Sequence, residues 1–156
     1  MRHARDPALA CFRTVCALAC AMAIVPLGVG VRAQTPAAAP ASTVHRLVMQ
    51  VSDADPAKWN LALNNARNVQ ADLGRDKVTV EIVAYGPGLG MLKTDSVVGA
   101  RVAEAIDQGV RLLACENTMT HQKISQADML PRLGYVPSGV VQLMQRQQQG
   151  YAYIRP

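Results

Sequence analysis

The stretch Arg111-Leu112-Leu113-Ala114-Cys115-Glu116-Asn117-Thr118-Met119 joins a short apolar run to a thiol, and then to polar residues that suit a loop or a helix start. A brief apolar run bounded in this way reads as a buried strand, and its neighbours decide what kind of sheet it belongs to. Upstream, Val98, Val102, Ala105 and Ile106 recur at helical spacing within 96–108, with Gly109 as the stop. Before that helix, 78–84 is dense in Val and Ile, with Glu81 as its one charged residue, and it runs into Tyr85-Gly86-Pro87-Gly88-Leu89-Gly90. Strand and helix therefore alternate on this side of the thiol.

The same alternation extends to both ends. Residues 45–51 read as a first strand, followed by a turn in which Asp55 caps a helix and Pro56 takes its first position. Ala62, Ala66, Val69 and Leu73 give the helix 57–73 its apolar stripe, and Gly74 closes it. Downstream, the pattern predicts a short helix over 124–130 ended by Pro131, a brief strand over 134–137, a helix over 138–149 capped by Ser138, and a last strand over 150–154. Alternating elements imply a mainly parallel sheet covered on both faces. The expected fold is a three-layer α/β/α domain of about five strands, near the mean sheet size.

Residues 1–33 have a different character. Arg2, His3, Arg5 and Arg13 are basic, 15–31 is small and apolar, and Val31-Arg32-Ala33 offers a small residue for cleavage. That layout predicts a secretory signal peptide cut after Ala33, and hence a periplasmic or secreted protein. A membrane anchor is the competing reading, but the run falls short of the roughly 20 residues that span a bilayer, and Pro26, Gly28 and Gly30 interrupt it. Residues 34–43, rich in Ala, Pro, Ser and Thr, read as a flexible tether. The folded domain is expected over 44–156.

Cleavage removes three of the four cysteines and lowers the net charge from +5, leaving twelve Lys and Arg against ten Asp and Glu. A net of +2 with no basic cluster among aromatics argues against nucleic-acid binding. Cys115 is then the only thiol of the mature chain and has no internal disulfide partner. In an exported protein such a cysteine is a reactive thiol, an intermolecular bridge or a small core residue.

At the carboxyl end of a strand, Cys115 occupies the edge where ligands collect in α/β sheets. Backbone N–H groups of the following turn would favour its thiolate. An accessible thiol with a lowered pKa is the expectation. Asn117, Thr118 and His121 are the nearest side chains able to hydrogen-bond the sulfur, with His121 also a candidate proton partner. Asn60, Asn64 and Asn68 form a row four residues apart on the first helix, either a solvated face or one wall of a ligand pocket. Gly86 and Gly88 permit close backbone approach to such a ligand, or simply mark a strand-to-helix connection. A pocket between the Asn row, the glycine loop and the Cys115 loop would lie at one sheet edge.

Asp55-Pro56-Ala57-Lys58-Trp59-Asn60-Leu61-Ala62-Leu63-Asn64-Asn65, Gly86-Pro87-Gly88, Cys115-Glu116-Asn117-Thr118-Met119 and Gly150-Tyr151-Ala152-Tyr153-Ile154 together resemble the DsrE/DsrF-like family over nearly all of the mature chain. The resemblance implies a compact α/β/α domain, assembly into trimers or hexamers, and sulfur relay through a cysteine persulfide. Cys115 matches the family's loop cysteine, and donor and acceptor proteins or small thiols would be its partners. The export signal sets the chain apart from the cytoplasmic relay members.

Two further readings stand beside sulfur handling. Cys115, Met119 and His121 are soft or borderline ligands close in sequence, so a small-molecule or metal-binding module without catalysis is one. No zinc spacing or paired Cys-x-x-Cys accompanies them, so neither a metal nor a cofactor is assigned. The other is an oligomeric interaction protein, with Val140, Val141, Leu143 and Met144 supplying apolar area on the last helix. Phosphate-binding, metalloprotease and serine-hydrolase signatures are absent from the sequence.

Overall fold

The computed structural model describes residues 44–156, so the expected signal peptide and tether lie outside the described residues. Five strands form one sheet in the order β4-β3-β2-β1-β5. They are β1 (His45–Val51), β2 (Val78–Ala84), β3 (Arg111–Cys115), β4 (Gly134–Val136) and β5 (Ala152–Ile154). Every neighbouring pair is parallel. The helices are α1 (Pro56–Leu73), α2 (Gly99–Asp107), α3 (Glu116–Gln122) and α4 (Gly139–Gln148). The three-layer α/β/α expectation is met.

Period-2 alternation along the strands separates two faces. Leu47, Met49 and Val51 of β1, Val80, Ile82 and Ala84 of β2, and Leu112 and Ala114 of β3 point to one side, where they form a core with Trp59, Ala62, Leu63 and Ala66 of α1 and Val102 and Ala105 of α2. Val48, Val83 and Leu113 point to the other side and meet Leu143 of α4. The connections from β1 to β4 run along the first face. The return from β4 to β5 crosses the second, as right-handed crossovers in opposite directions require.

Local signals placed several boundaries well. Asp55 caps α1 by accepting the Ala57 N–H at 2.8 Å, Pro56 is its first residue, and Gly74 ends it at φ +90°. Elsewhere tertiary pairing overrides local spacing. Residues 124–130 hold a single 3-10 turn, Gln126–Asp128, because the chain there joins the segment after β2: Leu130 N–H donates to Leu92, Thr94 N–H to Asp128, and Lys93 bridges Met129. The glycine loop is itself a 3-10 stretch, Gly86–Leu92, and α2 begins only at Gly99. Ser138 stands at the N-cap of α4 without a side-chain capping bond. No helix of the described residues is long and apolar enough to cross a membrane.

Candidate functional site

The connection after β3 stays on the α1 and α2 side, whereas the one after β4 goes to the α4 side. The crevice between the carboxyl ends of β3 and β4 is therefore the switch point of the sheet, where parallel α/β domains bind ligands. Cys115 ends β3 and stands at the N-cap position of α3 without a side-chain capping bond, and Gly139 begins α4 just after β4. Two residues beyond Leu113, Cys115 faces the α4 side, and the Gly139 N–H donates to its Sγ at 3.2 Å. Asn117 N–H ties the two loops together by donating to the Pro137 carbonyl at 3.1 Å.

Burial pushes the Cys115 thiol up, but the polar groups near the sulfur, the Thr118 hydroxyl and the N–H groups of Gly139, Thr118 and Asn117, outweigh it and hold the thiol below its ordinary value; of these the Gly139 N–H is the one in hydrogen-bonding geometry with Sγ. Each donor stabilises the anion more than the neutral thiol, since a thiolate is the stronger acceptor. The expected accessibility is corrected: Cys115 is only 4 % exposed. The start of α4, arriving 24 residues later in the chain, lays its backbone over the sulfur.

Of the residues singled out in the sequence, Gly86, Asn117 and Thr118 converge on this thiol. Thr118 Oγ1 accepts the Gly86 N–H at 2.9 Å, and Gln122 donates to the Gly86 carbonyl at 3.1 Å, so the glycine loop fixes the hydroxyl that faces the sulfur. Gly86 has φ +54°, a conformation that favours glycine. Gly88 is required for a different reason: a Cβ there would lie 2.3 Å from the Val51 carbonyl oxygen. His121 is exposed on α3 and makes no hydrogen bond to Cys115 among the described residues.

Asn60 and Asn64 are held elsewhere. Both side-chain carbonyls accept from the Arg101 guanidinium, Asn64 at 2.7 Å, so the row braces α1 against α2 on the far side of the sheet from the thiol. Of the row only Asn68 is exposed. Met119 packs into the larger core, apart from the face that carries Cys115. Among the described residues no group of three His, Cys, Asp or Glu side chains is arranged to hold a metal ion.

The sequence reading missed two features. Gly139 is the first; the strand-end logic applied to Cys115 applies equally to 134–137 and its following helix start. The second is the fully buried Glu81 carboxylate on the α4 side of β2. It accepts from Arg111 Nη1 of β3 at 2.5 Å, Arg146 Nε of α4 at 2.7 Å and Gln142 Nε2 of α4 at 3.2 Å. Arg146 also lies over the Tyr151 ring at 5.3 Å.

Comparison with known proteins bears on this geometry. The model of the DsrE/DsrF-like family matches residues 45–156. Among solved structures, the chain is similar to a protein of unknown function, MTH1491, from Methanobacterium thermoautotrophicum, with 38% identity and a TM-score of 0.69 over 72% of this chain and 99% of that one. A conserved protein of unknown function, BT1422, from Bacteroides thetaiotaomicron shares the fold at 12% identity and a TM-score of 0.57, over 74% of this chain and 97% of that one. No curated protein matches.

Proposed function

The chain belongs to the DsrE/DsrF-like family, and on that premise we propose that it is an exported sulfur carrier working through Cys115. The observation that supports this most is the buried Cys115 sulfur at the switch point of the sheet, held under the Gly139 N–H at 3.2 Å. The thiolate attacks the terminal sulfur of a persulfide donor, R–S–SH. A bond forms between Sγ and that sulfur, the donor S–S bond breaks, and its electron pair leaves with R–S⁻. An acceptor thiolate then attacks the terminal sulfur of the Cys115 persulfide, regenerating the Cys115 thiolate. The exchange needs no net oxidant or reductant. The Gly139 N–H on Sγ and the polar groups beside it favour the thiolate both as attacking group and as leaving group.

The donor and acceptor are other proteins or small thiols, since the mature chain carries no second cysteine. With Sγ covered by 137–139, exchange proceeds from a state in which that segment has moved aside. The carrier works as a homo-oligomer, a trimer or hexamer, after export to the periplasm or beyond the cell. Val140, Val141 and Met144 on the outer side of α4 are 58%, 43% and 51% exposed, beside a groove of about 350 Å³ lined by Val136, Pro137, Ser138, Val141, Gln142 and Gln145. An exposed apolar strip of this kind favours association.

Alkylation of the purified mature protein across pH, followed by intact mass after exposure to a sulfane-sulfur donor, tests the carrier. Labelling well below the free-thiol pKa of about 8.5 and a mass gain of one sulfur atom are expected. A thiol that reacts only after denaturation sinks the proposal. Light scattering at micromolar concentration checks the assembly, and a monomer counts against it.

A further inference from the structure

On its inner side α4 buries one large apolar residue, Leu143, and rests Gly139 against Tyr85, while Val140, Val141 and Met144 face outward. Such a helix has little apolar burial to set its height over the sheet. What grips it instead is the Glu81 carboxylate, reached by Gln142 in the first half of α4 and by Arg146 in the second, with Arg111 of β3 on the other oxygen. A fully buried carboxylate with two guanidiniums and one amide leaves few alternative arrangements, since losing a guanidinium leaves a buried charge short of its counter-ion and losing the amide costs it a hydrogen bond. Its geometry is therefore stiffer than that of an apolar contact, which can slide.

The other end of this helix is the thiol site. Gly139 is the first residue of α4 and gives its N–H to Cys115, and a Cβ on it would come within 3.0 Å of Tyr85, so the backbone passes at close range over the ends of β2 and β3. Glu81 and Cys115 lie on the same sheet face, since Glu81 pairs in register with Arg111 and Cys115 follows it by four residues. Four residues of strand span about 13 Å. From this juxtaposition we infer that Glu81, with Gln142 and Arg146, is a positioning residue for Cys115: it holds α4 at the height that keeps the Gly139 N–H on Sγ. The inference rests on the thiolate part of the proposed function and not on sulfur transfer itself.

The charged groups around this anchor are Arg111 from β3 and Arg146 from α4, with Tyr151 under Arg146. Their arrangement gives a test in which charge and position act in opposite directions. Glu81→Gln removes a negative charge on the thiol's own side of the sheet, and by Coulomb's law alone that would lower the Cys115 pKa. Loss of position withdraws the Gly139 donor and raises it.

The experiment is the pH dependence of Cys115 alkylation in the full mature protein for wild type, Glu81→Gln and Gln142→Leu, each confirmed folded by circular dichroism. Glu81→Gln is expected to raise the apparent pKa by about one unit, a roughly tenfold fall in thiolate below that pKa. Gln142→Leu, which changes no charge, is expected to raise it by less. An unchanged or lowered pKa in Glu81→Gln overturns the inference. If Glu81→Gln does not fold, Gln142→Leu decides by the same criterion. Failures stay separable: an ordinary thiol pKa in wild type overturns both this inference and the carrier, whereas a low wild-type pKa untouched by either substitution overturns the positioning role alone. A low pKa that the variants raise, without sulfur uptake, upholds the positioning role and sinks only the carrier.

Discussion

One sheet supports two unlike faces. On the α1 and α2 side a single cluster of 22 buried apolar residues fills the space beneath the helices. On the α4 side the buried apolar cluster has four members, and the rest of the contact is made by the Glu81 anchor, Gly139 against Tyr85, and the Cys115 thiol. The same strands feed both, so the backbone beneath is shared, and the covering helices and side chains account for the difference. The first face holds the domain together by volume. The second spends its contacts on polar groups that have one correct geometry, which suits a site whose chemistry depends on an N–H held 3.2 Å from the sulfur.

Truncation of the larger face gives the largest expected effect. Ile82 is fully buried in the middle of β2 among residues from both helices and the neighbouring strands. Ile82→Ala should cost about 4 kcal/mol in urea unfolding, the sum of lost transfer and an unfilled cavity. The alkylation pH profile of the protein that remains folded should be unchanged. A shifted profile would break the comparison, because it would couple the two faces through the strands.

Leu143→Ala tests the other face and should cost less, about 2 kcal/mol, since α4 borders solvent and can settle into the space. Its effect on the thiol should be larger than that of Ile82→Ala despite the smaller loss of stability, because the helix that moves carries Gly139. If the two variants ranked alike in stability and in thiol pKa, the faces would be one cooperative unit, and the distinction between volume and geometry would fail.

Local chemistry made the architecture legible, because each signal sits beside the structure it specifies. Asp55-Pro56 and Gly74 bound α1, and the Val and Ile of 78–84 need no partner to be read as a buried strand. The site was legible where it follows from a strand end, as with Cys115, Asn117 and Thr118. It was illegible where a distant residue decides. Asn60 and Asn64 show a polar face, but only Arg101 says what that face holds. Residues 124–130 have apolar spacing suited to a helix, yet Leu92, Thr94 and Lys93 claim their backbone. Cys115 is buried because α4 returns over it, and nothing within ten residues of the thiol encodes that.

The smallest expected effect is a pH dependence of stability that belongs to the thiol face alone. Burial acts against the Cys115 thiolate, but the nearby polar groups of Thr118, Gly139 and Asn117 prevail, so its folded pKa lies below the unfolded value of about 8.5. For an acid with a depressed folded pKa, the unfolded state binds more protons between the two values, and stability therefore rises with pH across that window. The contribution is fully present above the unfolded pKa and is lost as pH falls through the folded one. Urea unfolding of wild type and Cys115→Ser at several pH values should thus show wild type gaining on the variant as pH climbs toward 9, with the two curves parallel below the folded pKa. Ile82→Ala should keep the wild-type slope, since it leaves every donor to Sγ in place. Parallel curves for wild type and Cys115→Ser at all pH values would mean that the polar groups beside Sγ give the thiolate no net advantage, and the α4 side would then be no more than a sparser version of the other face.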